Sequence, residues 1–173
     1  MKSKEIIPTQ VERVLPVDRY IVSTTDCSGR ITAVNDVFLD YAGYDESELI
    51  GIQHNIIRHP DMPRSVFWLC WDTLEAGEEF YGYVKNMSKD GGHYWVFSHI
   101  SPINDVDGGI VGFRSIRRHA KPEAVAKVID LYRAMNRAEA EAGAKEAIQA
   151  GLGVLREFLS QSGLSYEQMV AKL

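Results

Sequence analysis

Thiol chemistry is scarce in this chain of 173 residues: Cys27 and Cys70 are its two cysteines. They show no metal-ligand spacing, and one bridge would not make a disulfide scaffold. A reducing cytoplasm is the simplest setting for such a sequence. Long apolar runs are missing too. No stretch approaches the ~18 apolar residues that span a bilayer, and Met1 to Val17 lacks an apolar core of signal-peptide length. Positive charge is in deficit, with 19 Lys and Arg against 24 Asp and Glu, net −5. That balance argues against nucleic acid or an anionic membrane as partner. A small basic group, Arg114, Arg117, Arg118 and Lys121, reads as a solvated strand end. Ser-His-Asp contexts, glycine-rich phosphate loops and zinc motifs are also absent, so the reading is not that of a turnover enzyme.

What is present is the composition of a soluble globular protein, 45% hydrophobic and 25% charged. The length suits one domain of about 100–150 residues plus a tail. Residues 1–17 read as a mobile N-terminal cap. Tyr20 to Thr25 and Arg30 to Val34 read as strands joined by the turn Asp26-Cys27-Ser28-Gly29. Asn35 or Asp36 caps a short helix ended by Gly43, and Asp45 with Glu48 approaches a capping box for a second. A longer helix is expected from Pro63 to about Glu75, burying Val66, Phe67, Cys70, Trp71 and Leu74. Three hairpin-linked strands follow. The turns are Lys89-Asp90-Gly91-Gly92 and Asn104 to Gly109. His93 to Ile103 alternates, with Tyr94, Val96, Ser98 and Ile100 on one side and His93, Trp95, Phe97 and His99 on the other. This order predicts an α+β protein with an antiparallel sheet of about five strands and helices on one face.

After Pro122 the pattern turns helical. Val125, Val128, Ile129, Tyr132 and Met135 share one face, and Ile148, Leu152, Leu155 and Leu159 share another. Ser165 and Gln168 form a capping box for a last short helix. These amphipathic stripes need a partner, either the sheet or a second copy of the chain. The expected organisation is a cap at 1–17, a sensor domain at 18–120 and C-terminal helices at 121–173 for output or dimerisation.

The densest chemistry lies at Asn55-Ile56-Ile57-Arg58-His59-Pro60-Asp61-Met62-Pro63. A cation, an imidazole and a carboxylate surround a rigid proline. Such a segment can hold a charged fork suited to an anionic cofactor.

From Asp18 to about Arg118 the chain resembles the PAS family. The shared signatures are Asn35-x-x-Phe38, Gly43-Tyr44, Glu48-Leu49-x-Gly51 and Lys89 to Trp95. More narrowly it is similar to the sensor domains of the aerotaxis-receptor (Aer) type. The matching segments are Ser23 to Asp26, His54-Asn55-x-x-Arg58 to Pro63, Val84-Lys85-Asn86, His93 to Val96 and Ser115-Ile116-Arg117. The likeness covers roughly 120 of the 173 residues, fading through Leu131-Tyr132-x-Ala134-x-Asn136. It implies a PAS fold enclosing a cofactor cleft and noncovalently bound FAD as redox sensor. Flavin state would follow oxygen or electron transport, and the signal would leave through the C-terminal end. Two departures stand out. Phe80 precedes Tyr81-Gly82 where such domains often carry Trp before Ser-Gly, and no membrane span or signalling module follows Asn136.

The resemblance gives residues roles toward FAD. The pyrophosphate wants donors, which Arg58 and His59 offer. Asp61 would repel phosphate and is assigned to orienting Arg58 or His59, or to capping the following helix. The isoalloxazine wants apolar walls and a few amides. Phe38, Ile57, Phe67, Trp68, Trp71, Phe80 and Trp95 are candidate walls; Asn35, Asn55 and Asn86 are candidate amides, with His54 beside them. Plainer readings stand next to these: Asn35 as helix cap, Arg58 with Asp61 as surface ion pair, the aromatics as core. A haem sensor with His54, His59, His93 or His99 as ligand, a small-ligand sensor on the same fold, and a ligand-free dimerisation module are the alternative functions.

Overall fold

A computed structural model describes residues 6–173 of the chain. Residues 1–5, part of the expected cap, lie outside the described residues. The strands are β1 Ile21–Thr25, β2 Ile31–Val34, β3 Phe80–Met87, β4 His93–Asn104 and β5 Ile110–His119. The helices are α1 Asp36–Ala42, α2 Glu46–Leu49, α3 Arg64–Glu75, α4 Pro122–Ser162 and α5 Tyr166–Lys172, with a 3-10 turn at His54–Ile57. The five strands form one antiparallel sheet in the order β2-β1-β5-β4-β3. The expected fold class holds.

Local chemistry places most of these elements. The Asn35 side chain accepts from Phe38 N and caps α1, while Gly43 ends it in a left-handed conformation. Asp45 and Glu48 make the capping box of α2, and Ser165 with Gln168 makes that of α5. The Asp26–Gly29 turn needs glycine at its last position, where φ is 78°. A Cβ there would also come within 3.1 Å of the Trp71 ring.

Cross-strand partners share a face, so the register sorts the sheet. Ser23, Ser115 and Ile100 align, as do Thr25, Phe113 and Pro102, and Ile21, Arg117 and Ser98. Asn86 aligns with Tyr94, and Val84 with Val96. This inner face lies under α1 and α3. The outer face carries Tyr81, Tyr83, Trp95, Phe97 and Arg118.

One expectation changes here, and one open choice is decided. The N-terminal segment is no loose cap over 6–17. Thr9 N donates to Gly91 O, Arg13 N to His93 O and His93 N to Val11 O. Leu15 is buried in the core. The segment therefore lines the β3–β4 hairpin as an extra extended layer. The tail also finds its apolar partner within the chain. Tyr132 donates its hydroxyl to Tyr83 O at 2.7 Å and packs on Trp95. Further along α4, Asn136 donates to Asp61 O at 2.6 Å. Ala124, Val128, Leu131, Tyr132 and Met135 join the main core.

Candidate cofactor site

Between α3 and the inner sheet face lies a cavity of about 220 Å³. Ile57, Phe67, Cys70, Trp71, Leu74, Ile100 and Phe113 supply apolar walls. Trp71 meets Phe113 edge to face at 5.4 Å, which sets the angle of that wall. Polar groups come from the sheet: Ser23, Asn86, Ser115 and Arg117. His54, Asn55 and Arg58 close it from the 3-10 turn, with Asn55 exposed at the opening.

Arg117 is the least expected member. It is 3% exposed. Its guanidinium donates to Ser23 Oγ at 3.1 Å and to His54 Nε2 at 2.7 Å. Arginine only donates, so His54 Nε2 is the unprotonated nitrogen and the ring is neutral. Burial first, then the Arg117 charge, lowers the His54 pKa from 6.5 to about 3. Burial likewise lowers Arg117 to about 10, which leaves it cationic at neutral pH. Among the described residues no carboxylate pairs with this buried cation. A buried charge without a counter-charge is costly unless something polar or anionic faces it.

Nearby donors also go unused. Asn86 Nδ2, Ser98 Oγ, Ser115 Oγ and the Tyr94 hydroxyl have no hydrogen-bond partner among the described residues. All four sit on the inner face, and Asn86 and Ser115 line the cavity. Buried polar groups are normally satisfied, so Asn86 and Ser115 bring unspent hydrogen-bonding capacity to the cavity wall. Cys70 is a wall rather than a nucleophile, because burial pushes its thiol up to about 12.

The structure divides the sequence-derived candidates. His54, Asn55, Arg58, Phe67, Trp71 and Asn86 come together on the cavity, along with Ile57. Asn35, His59, Asp61, Trp68, Phe80 and Trp95 do not line it. Asn35 spends its oxygen on Val22 N and Phe38 N and its amide on Tyr20 O, so it is the helix cap. The expected fork of Arg58, His59 and Asp61 is split by backbone alternation. Arg58 pairs in extended form with Asn86, so its neighbour His59 points the other way. Arg58 donates to Met62 O at 2.9 Å and lies over the Phe67 ring. His59 packs on His93, its Nδ1 accepting from Asp61 N. The exposed Asp61 takes Lys85 at 2.7 Å.

Trp68 is 39% exposed, one residue off the helical face that holds Phe67 and Trp71. Trp95 faces the outer side with Tyr132, as strand parity with Tyr94 and Val96 requires. Phe80 shares the inner face but stacks on Tyr166 at the strand end. Phe38 packs against the His54 ring.

Sequence reasoning missed Ser23, Ser115 and above all Arg117, which it grouped with solvated cations. The available signal was the alternation Phe113, Ser115, Arg117 against exposed Arg114 and Arg118.

Residues 31–117 match the family described as PAS fold, which is half of the chain. The chain belongs to the PAS family. Its similarity to the aerotaxis receptor of Escherichia coli K12 is 44% identity over 128 residues, covering 74% of this chain and 25% of that receptor. The bacterioopsin transcriptional activator of Halobacterium salinarum is 27% identical over 117 residues, covering 66% of this chain and 17% of that protein. The chain thus spans a quarter or less of these relatives. Among solved structures, the light state of the blue-light photoreceptor Aureochrome1 LOV superposes with a TM-score of 0.58 at 17% identity. It covers 65% of this chain and 90% of that one, a likeness of fold. No helix among the described residues of this PAS chain is long and apolar enough to cross a membrane.

Proposed function

We propose that this PAS protein is a cytoplasmic redox sensor, not a turnover enzyme, that binds FAD noncovalently with the isoalloxazine in the cavity. One observation carries the reading: the unpartnered Asn86 Nδ2 and Ser115 Oγ and the carboxylate-free Arg117 converge on an apolar-walled slot. A flat aromatic ligand with a hydrogen-bonding edge satisfies both halves of that site. The cavity is smaller than the ~300–1,000 Å³ of whole-ligand pockets, so it suits the ring and leaves the rest of the dinucleotide outside. Arg58 and the exposed Asn55, beside the opening, are placed for the phosphates. When bound, the flavin supplies a redox centre whose polar edge gains a proton or charge on reduction. Arg117, cationic at neutral pH, favours negative charge there. His54 holds Arg117 in that direction, and Asn86 supplies a neutral donor. The C-terminal helices are the route of output. The 44% identity to an aerotaxis receptor supports the sensing role.

Haem finds less support. Of the four histidines considered, His54 alone lines the cavity, and its Nε2 is occupied by Arg117 and Ser23.

An absorption spectrum of the purified protein, then acid release and identification of the chromophore, tests the reading. Flavin bands and free FAD are expected. Asn86→Ala and Arg117→Met should keep their circular dichroism but lose flavin affinity, by about 3- to 10-fold for the neutral donor Asn86 and about 10- to 100-fold for the charge-assisted bond of Arg117. A colourless protein that refuses added FAD sinks the proposal. Full occupancy in both variants moves the site elsewhere.

A further inference from the structure

The long helix α4 is interrupted at one residue. Gly143 has φ 75° and ψ 172°, a region essentially reserved for glycine, and the chain is helical on both sides of it. Helical hairpins normally use loops of two to five residues. Here the flanks are Arg137-Ala-Glu-Ala-Glu-Ala142 and Ala144-Lys-Glu-Ala147, all strong helix formers with no turn chemistry of their own. Nothing lies within 4 Å of where a Gly143 Cβ would sit, so the hinge residue itself is in open space. Moving two torsions to helical values would give one helix of 41 residues, roughly 60 Å long.

Straightening would lift residues 144–173 off their own domain. The surface thereby uncovered is specific. Gly151 approaches Ser65 Oγ and Glu139 so closely that any Cβ would collide there. Tyr166 stacks on Phe80 at 5.8 Å. Leu155, Met169 and Val170 are buried beside Val66, Tyr83, Tyr132 and Met135. A foreign helix would need a glycine and this same set of side chains in register. The segment that meets those demands is 144–173 itself, from another copy.

We propose that this chain forms a dimer by exchanging residues 144–173 between two copies through straightening at Gly143. Every contact of the closed form is remade in trans, and the short hinge favours exchange over hairpin formation. The proposal is independent of any cofactor.

The test uses full-length chains in a Cys27→Ser background, which removes the exposed thiol and leaves the buried Cys70. Lys127 and Glu157 are exposed and flank one groove between the two halves of α4. Lys127→Cys chains are mixed with Glu157→Cys chains and treated with a short bis-maleimide, with mass measured by light scattering. A dimer fraction with cross-links between the two chain types is expected. Gly143→Ala, which disfavours the bend and favours the helix, should tighten dimerisation roughly a hundredfold. Four residues, Gly-Asn-Gly-Ser, inserted after Gly143 should return a monomer that cross-links within one chain in the double-cysteine variant. A Gly143→Ala protein that stays monomeric at its solubility limit overturns the proposal. So does a dimer whose 127–157 cross-links stay within each chain.

Discussion

A guanidinium buried without a carboxylate must find neutral partners, and Arg117 finds Ser23 and His54. The same contact sets a pH response. The folded protein holds His54 at about 3 and His59 at about 4, both below the ordinary 6.5. Burial is the leading cause for each; Arg117 adds to it for His54 and Lys85 for His59. Below pH 6.5 the unfolded chain takes up protons that the native state refuses, so stability is highest above that pH and falls toward pH 4. Carboxylates such as Asp40 and Glu48, held low mainly by Arg13 and Lys89, act further down, so pH 5 to 6.5 isolates the histidines. Urea unfolding across that window should show the slope, and His54→Gln, which keeps an acceptor for Arg117, should lessen it by up to one proton. An identical slope in the variant would mean His54 is not held neutral. Residue identity was legible here; direction was not. Period-two alternation groups Trp95 with Phe97 and Arg117 with Ser115, yet it does not say which group meets the core.

Capping decides the elements, and its range decides how much of it sequence reveals. Asn35, the Asp45–Glu48 pair and the Ser165–Gln168 pair act within a few residues of their targets and were read from spacing. The start of α3 is different. Pro63 gives it no side-chain cap. Glu139 from α4 does that work, accepting from Arg64 N, Ser65 N and Ser65 Oγ while only 7% exposed. A carboxylate at a helix N-terminus is also favoured by the dipole. Since α3 carries Phe67, Cys70 and Trp71, this contact ties the tail to the cavity wall. Glu139→Ala should cost about 2–3 kcal/mol in urea unfolding, the sum of a lost cap and stranded buried donors. Glu139→Gln, which retains an acceptor oxygen, should cost less. Equal losses in the two variants would assign the effect to packing instead.

Across the whole molecule the tail is core as well as candidate output. Ala124, Val128, Leu131, Tyr132 and Met135 are buried against the rest of the domain, and Tyr132 covers Trp95. A chain ending after Arg118 should therefore expose that surface and aggregate, whereas one ending after Ala142 keeps Glu139 and the first half of α4. Light scattering and circular dichroism on the two fragments distinguish them; a stable monomer ending at Arg118 would make the tail an appendage.

By itself the sequence determined what depends on near neighbours: strand alternation, helix caps, glycine turns, the α+β class and the family-like motif from His54 to Pro63. Those are short-range preferences, set by a few bonds' torsions and by hydrogen bonds that close over three or four residues. Tertiary structure alone decided which face of each element met the core. It turned Arg58 toward the cavity and His59 onto His93, joined Arg117 to His54 across 63 residues, and seated Glu139 on α3 from 75 residues away. Such contacts arise only when strand register and helix packing are settled together, because no local preference records the distance between groups so far apart along the chain.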